Sequence, residues 1–187
     1  KLMNSRILGS TYEFKHPSLL DKIFPYIEYI EITPDTISHN DGSNIFISDE
    51  TIDEIKEIGK YKKIVVHGVG LSIGSYDGYS KDYIKLLDRI YEEIDFEWHS
   101  EHLGYTKVNG ENIGTMLSLP RTEETLEMIC ERVTEIKNRY KKDFLLENII
   151  RIVPDYESKY SEAKFMNLIS ENTGCGFILD AYNLECD

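Results

Sequence analysis

This chain is short of cysteine, of positive charge and of long apolar runs. Its three cysteines, Cys130, Cys175 and Cys186, are odd in number and irregular in spacing. That argues against a disulfide framework or a zinc knuckle and fits a reducing cytoplasm. Lysine and arginine total 21 against 34 acidic residues, a formal charge of -13. A surface that neutralises phosphates needs a basic patch, so nucleic acid is not an expected partner and an anionic membrane is a poor one. No segment approaches the ~20 apolar residues of a membrane-spanning helix, and no signal-peptide pattern opens the chain. No linker, low-complexity segment or repeat divides it. Gly68-Val69-Gly70 lacks the remaining glycine of a dinucleotide fingerprint, and no P-loop lysine follows it. Those glycines read as close backbone packing or approach to a substrate.

What is present fits one globular domain over 1–187: 41% of residues are hydrophobic and 11% aromatic. Apolar strand patterns fall at 6–14, 29–32, 64–67, 96–101, 144–146 and 176–179. Helical stripes lie between them, for instance Ile52, Ile55 and Ile58, or Leu126, Ile129, Val133 and Ile136. Asn109-Gly110 is a strong turn pair and marks a small hairpin over 104–115. Alternating strands and helices predict an α/β fold with a parallel sheet and helical crossovers. Two architectures satisfy that pattern. One is an open doubly wound sheet; the other is a (β/α)8 TIM barrel of which about six β/α units are present.

Ionisable groups recur where these strands end. His67 closes the strand at 64–67, Glu101 and His102 the next, Glu147 the one after, and Asp180 the last. Any one of these is a weak signal, because a single strand-end histidine is commonly structural. Four consecutive strands ending this way are harder to dismiss, since a barrel brings all its C-terminal strand ends to one face. Imidazoles mixed with carboxylates suit iron, manganese or zinc, and a cation would offset the repulsion among the acids. Glu147 alone could serve instead as a general base. The cysteines lack a legible basic partner and read as structural.

In order, the segments HGVGLSIGS, SEHLGY, LLENI and ILDAYNL resemble the multinuclear non-heme iron-dependent oxidative enzymes, the family of the methanobactin-biosynthesis oxidase. The resemblance runs from about Tyr29 to the end of the chain. EITPDTI is a looser match, with Asp35 where the family more often has Glu, and His99 departs from the usual apolar residue. The resemblance implies a xylose-isomerase-like TIM barrel holding two or three iron ions, with dioxygen as co-substrate. By motif match, His67, His102, Glu147 and Asp180 would be ligands, with Glu147 bridging two metals and His102 and Glu147 at the reacting centre. Glu101 and Asn183 lie in the same motifs and join the candidate ligands. Family members modify residues, often cysteine, in ribosomally made precursor peptides, and many work with a small partner that captures the peptide leader. Their chains are longer, which implies that this sequence is a piece, or that another chain completes the site as a homo- or hetero-oligomer. Two other functions compete: a divalent-metal sugar isomerase or epimerase on the same barrel, and a non-catalytic barrel that docks a peptide or partner.

Overall fold

The fold is seen in a computed structural model, which describes residues 7–12, 17–42, 44–152 and 158–186. In chain order the elements are β1 (Gly9–Thr11), α1 (Pro17–Ile23), β2 (Tyr29–Ile32), α2 (Pro34–Ile37), β3 (His39–Asn40), β4 (Ile45–Phe46), α3 (Asp49–Gly59), β5 (Lys63–Gly68), α4 (Lys81–Glu93), β6 (His99–His102), β7 (Gly104–Val108), β8 (Glu111–Ser118), α5 (Glu123–Tyr140), β9 (Phe144–Glu147), α6 (Glu162–Thr173), β10 (Gly176–Ile178) and α7 (Ala181–Cys186). Six strands make one sheet in the order β1-β2-β5-β6-β9-β10, and every neighbouring pair is parallel. A doubly wound sheet reverses its strand order at a switch point. Here the spatial order follows the chain order, which leaves the barrel as the architecture, with six of its units present.

The helix starts explain themselves locally. Ser48, Ser80, Thr122 and Ser161 each turn a side-chain oxygen to the amide three residues on, capping α3, α4, α5 and α6. Each such cap is worth about 1 kcal/mol. Between the helices and the sheet lies the core. Ile30, Ile32, Ile64, Val66, Phe144 and Leu146 point one way from the strands and meet Ile52, Ile55, Leu87, Ile90, Ile129, Val133 and Phe165. The other face of each strand is left for function.

Several boundaries differ from the sequence reading. The strand expected from Phe96 begins at His99, because Phe96 instead packs edge-on against Tyr91, ring centroids 4.9 Å apart. That strand then runs through His102. The hairpin is longer than expected, with β7 and β8 antiparallel about Asn109 and Gly110. Those two residues take φ of 52° and 79°, the positive-φ pair a tight hairpin turn needs. Three elements escaped the reading: α2, which Pro34 opens; the short β3–β4 pair; and α7. The expected ends of the first strand at Arg6 and Phe14, and the helix start at His16, lie outside the described residues.

Candidate metal centre

Strand alternation sorts the candidate residues between the two faces. Register pairs His67 with Ser100 and His102 with Glu147. All four therefore leave the sheet on the face away from the helices. His67 Nε2 lies 3.1 Å from Glu147 Oε2, and His102 Nε2 lies 3.7 Å from Glu147 Oε1. The two imidazole rings are tilted 50° with centroids 4.6 Å apart. Among the described residues, His67, His102 and Glu147 bring one ligand atom each to within 4.8 Å of the others.

The protons of this group can be placed by following donors. Ser100 Oγ donates to the Val66 carbonyl at 3.2 Å, so at 2.9 Å it accepts from His67 Nδ1. The Gly68 carbonyl can only accept, so His102 Nδ1, 3.0 Å away, carries its hydrogen there. Both rings thus carry a proton on Nδ1 and turn Nε2 toward one carboxylate. Metal-binding histidines are held this way by a carbonyl or hydroxyl on the far nitrogen. A proton on Glu147 could join it to one nitrogen but not to both. A divalent cation would satisfy both nitrogens and the carboxylate together, so the donor set fits a metal ion.

The surroundings agree. Burial, and then the neighbouring His102 and His99, push His67 down to about 4, so its ring is neutral near pH 7. Burial raises Glu147 above the usual carboxylate range; His102 opposes this, while Asp180 and Glu31 reinforce it. Glu31 is likewise raised, mainly by burial, with Thr11 and His102 acting against the shift. Its carboxylate accepts from Thr11 Oγ1 at 3.2 Å. Glu31 was missed by the strand-end reading because it lies inside β2. Its one signal was an acid interrupting the apolar run Tyr29-Ile30-Glu31-Ile32.

The remaining candidates divide. Asp180 is close enough to perturb His67 and Glu147. Its Oδ1 accepts from the Asn183 amide at 2.9 Å, and its own amide donates to Asn148 Oδ1 at 2.7 Å. The Asn183 side chain donates its Nδ2 hydrogen to the Asn148 carbonyl at 2.9 Å. Glu101 corrects the expectation of a ligand there, because β6 points it into the helix layer. It is 1% exposed, and its Oε1 meets Tyr83 Oη and His99 Nε2, each at 2.9 Å. The glycines of Gly68-Val69-Gly70 serve close packing. Asp35 Oδ2 accepts from the amides of Val69 and Gly70 at 2.9 and 3.2 Å. The cysteines are unpaired, with Cys175 buried and Cys186 exposed. No helix among the described residues is long and apolar enough to cross a membrane.

Known proteins bear on this arrangement in three ways. The fold is similar to D-psicose 3-epimerase of Clostridium cellulolyticum H10, seen with D-tagatose, at TM-score 0.58 and 17% identity over 95% of this chain and 62% of that one. An L-ribulose 3-epimerase is similar at TM-score 0.56 and 12% identity, covering 98% and 63%. At those identities the likeness is one of fold, a (β/α) barrel. A UPF0276 protein of Rhizorhabdus wittichii is 31% identical over 132 residues, 71% of this chain and 47% of its own length. Another, from Caulobacter vibrioides, is 29% identical over 167 residues, 89% and 57%. The chain thus spans about half the length of the curated relatives it matches. Residues 9–187 match the family described as RiPP precursor modification enzyme MbnB/TglH/ChrH, and with nearly the whole chain covered, this protein belongs to that family.

Proposed function

We propose that this chain carries most of the metal centre of an iron- and dioxygen-dependent oxidase that modifies residues, cysteine foremost, of a ribosomally made precursor peptide. The observation that carries the reading is the pair of imidazoles, each pinned through Nδ1, that aim their Nε2 atoms at the one carboxylate of Glu147. His67, His102 and Glu147 would bind metal, with Asp180 beside them and Glu31 adding negative charge from β2. Each Glu147 oxygen faces a different imidazole, a disposition that suits a carboxylate shared between two ions. Ser100 and the Gly68 carbonyl orient the rings. Iron, when bound, supplies one-electron chemistry toward dioxygen; the chain supplies ligands and their orientation. The β7–β8 hairpin and the start of α5 wall a groove of about 520 Å³ at the same end of the sheet, lined by Tyr76, Tyr105, Val108 and Met128 among others. Such a groove offers room for an extended peptide. A small protein that captures the peptide leader, and an oligomer that shares the sheet edge, belong to the same proposal.

The test is elemental analysis with Mössbauer spectroscopy on anaerobically purified protein made from the whole gene. Two or three irons per chain, lost in His67→Ala and Glu147→Ala, are expected. One manganese or magnesium, with turnover in the absence of dioxygen, would instead favour a sugar isomerase or epimerase using Glu147 as ligand and acid–base group. A protein free of metal after anaerobic purification would sink both enzyme readings and favour a peptide-docking barrel.

A further inference from the structure

Behind β5 and β6, on the face turned from the candidate metal centre, lies a buried pair that neither metal binding nor catalysis uses. Tyr83 of α4 is 5% exposed and Glu101 of β6 is 1% exposed, and the phenol donates to Glu101 Oε1 at 2.9 Å. The backbone of β5 is pressed directly onto this hydrogen bond. A Cβ added at Gly68 would sit 2.0 Å from Tyr83 Oη and 2.2 Å from Glu101 Oε1. One added at Gly70 would sit 2.4 Å from Asp35 Oδ1 and 2.6 Å from the Tyr83 ring. Asp35, whose Oδ2 accepts from Tyr83 Oη at 3.5 Å, ties the Val69 and Gly70 amides beside it. Gly68 to Gly70 is therefore held against an aromatic side chain and a carboxylate that brace each other. Burial and the two neighbouring acids push the Tyr83 phenol well above its ordinary range, so it keeps the proton it donates.

The backbone held there has one duty on the opposite face. The Gly68 carbonyl accepts the His102 Nδ1 proton at 3.0 Å, and that bond decides which nitrogen His102 turns toward Glu147. Glu101 touches both partners of the bond. It packs against Gly68, with which it is in register, and it is the residue immediately before His102. We infer that Tyr83 and Glu101 are positioning residues for the metal centre, acting through the Gly68 carbonyl to fix the tautomer and aim of His102. The inference rests on reading His102 as a ligand.

The competing explanation is that the pair only fills the helix layer. In that case its loss would lower stability and leave His102 unaffected. The side-chain nitrogen-15 resonances of His102 in the metal-free full chain separate the two. Wild type should show a single Nδ1-protonated form. Tyr83→Phe and Glu101→Leu, each of which keeps bulk but breaks the pair, should show a mixture of both tautomers. Anaerobic titration with ferrous iron against a chelator should then give an affinity about 10-fold or more below wild type, the usual range for groups that orient a ligand. A wild-type tautomer together with wild-type iron affinity in both variants would overturn the inference, whatever happens to the melting temperature. If wild type itself binds no iron while the variants still mix tautomers, the positioning of His102 stands and the iron reading falls.

Discussion

The two faces of the sheet around β6 carry the same residue types with opposite outcomes. On the helix side, His99 and Glu101 are 0% and 1% exposed. His99 Nδ1 meets Tyr91 Oη at 3.0 Å and its Nε2 meets Glu101 at 2.9 Å, so both nitrogens are used within the protein. On the concave side, His67 and His102 each use one nitrogen in the same fashion and leave the other facing a carboxylate. A histidine and an acid in contact do not mark a site by themselves. Convergence does: of these two clusters, only the concave one turns two imidazoles toward a single carboxylate, a set that a cation could bind.

Substitutions on the two faces should therefore divide differently between metal and stability. The largest contrast pairs Glu147→Ala with Glu101→Ala. Glu147→Ala should abolish iron content in elemental analysis while thermal unfolding changes little, because removing Glu147 also relieves its repulsion with Asp180 and Glu31. Glu101→Ala strips an acceptor from Tyr83 and a partner from His99, and should cost about 3 kcal/mol in urea unfolding. Equal losses of stability in the two variants would erase the distinction.

Acidity sharpens the same contrast. Burial pushes His99 down to about 3, so the ring stays neutral in the fold. Burial first, then Asp35, pushes Glu101 well above the usual carboxylate range, so it keeps a proton. The folded pair thus binds one proton. Unfolded, with ordinary values of 4.5 and 6.5, it also binds one between those pH values. Its contribution to stability should be level across that window. It should fall as pH drops from 4.5 toward 3, where the unfolded chain takes up a second proton first. It should fall again as pH rises past 6.5, where the unfolded chain releases a proton that the folded pair retains. Unfolding midpoints measured against pH, in wild type and in His99→Gln, would expose these two slopes; the variant should lose the acid slope and begin its alkaline decline at about 4.5 instead of 6.5, because Glu101 still keeps its proton in the fold.

The smallest expected effect lies on the concave face. Ser100→Ala removes the oxygen that receives the His67 Nδ1 proton. Iron affinity should weaken about 10-fold, with the chain otherwise folded, as read by chelator competition and circular dichroism. An unchanged affinity would mean that the orientation of His67 is set elsewhere.

Much of this was legible beforehand, for identifiable reasons. Strand ends carry ionisable groups visibly, so His67, His102 and Glu147 could be singled out, and the parallel sheet followed from alternating strands and helices. Facing was harder to read. Glu101 and His102 are adjacent, and a period of two assigns them to opposite faces only once the register with Gly68 and Glu147 is known. Glu31 hid within its strand, and nothing in the sequence showed that Asn183 ties α7 to Asn148. The helix α2 and the β3–β4 pair are too short for periodicity to register.

The segment after β5 shows one more thing. Leu71 and Ile73 are wholly buried, and Arg132 of α5 reaches across to the carbonyls of Ile73 and Ser75. The hairpin adds two bonds, from the Gly74 amide to the Gly104 carbonyl and from the Thr106 amide to Ser72. Although it has no regular secondary structure, this stretch should exchange its amide hydrogens for deuterium as slowly as the helix that clasps it. It is a fixed part of the wall rather than a moving lid.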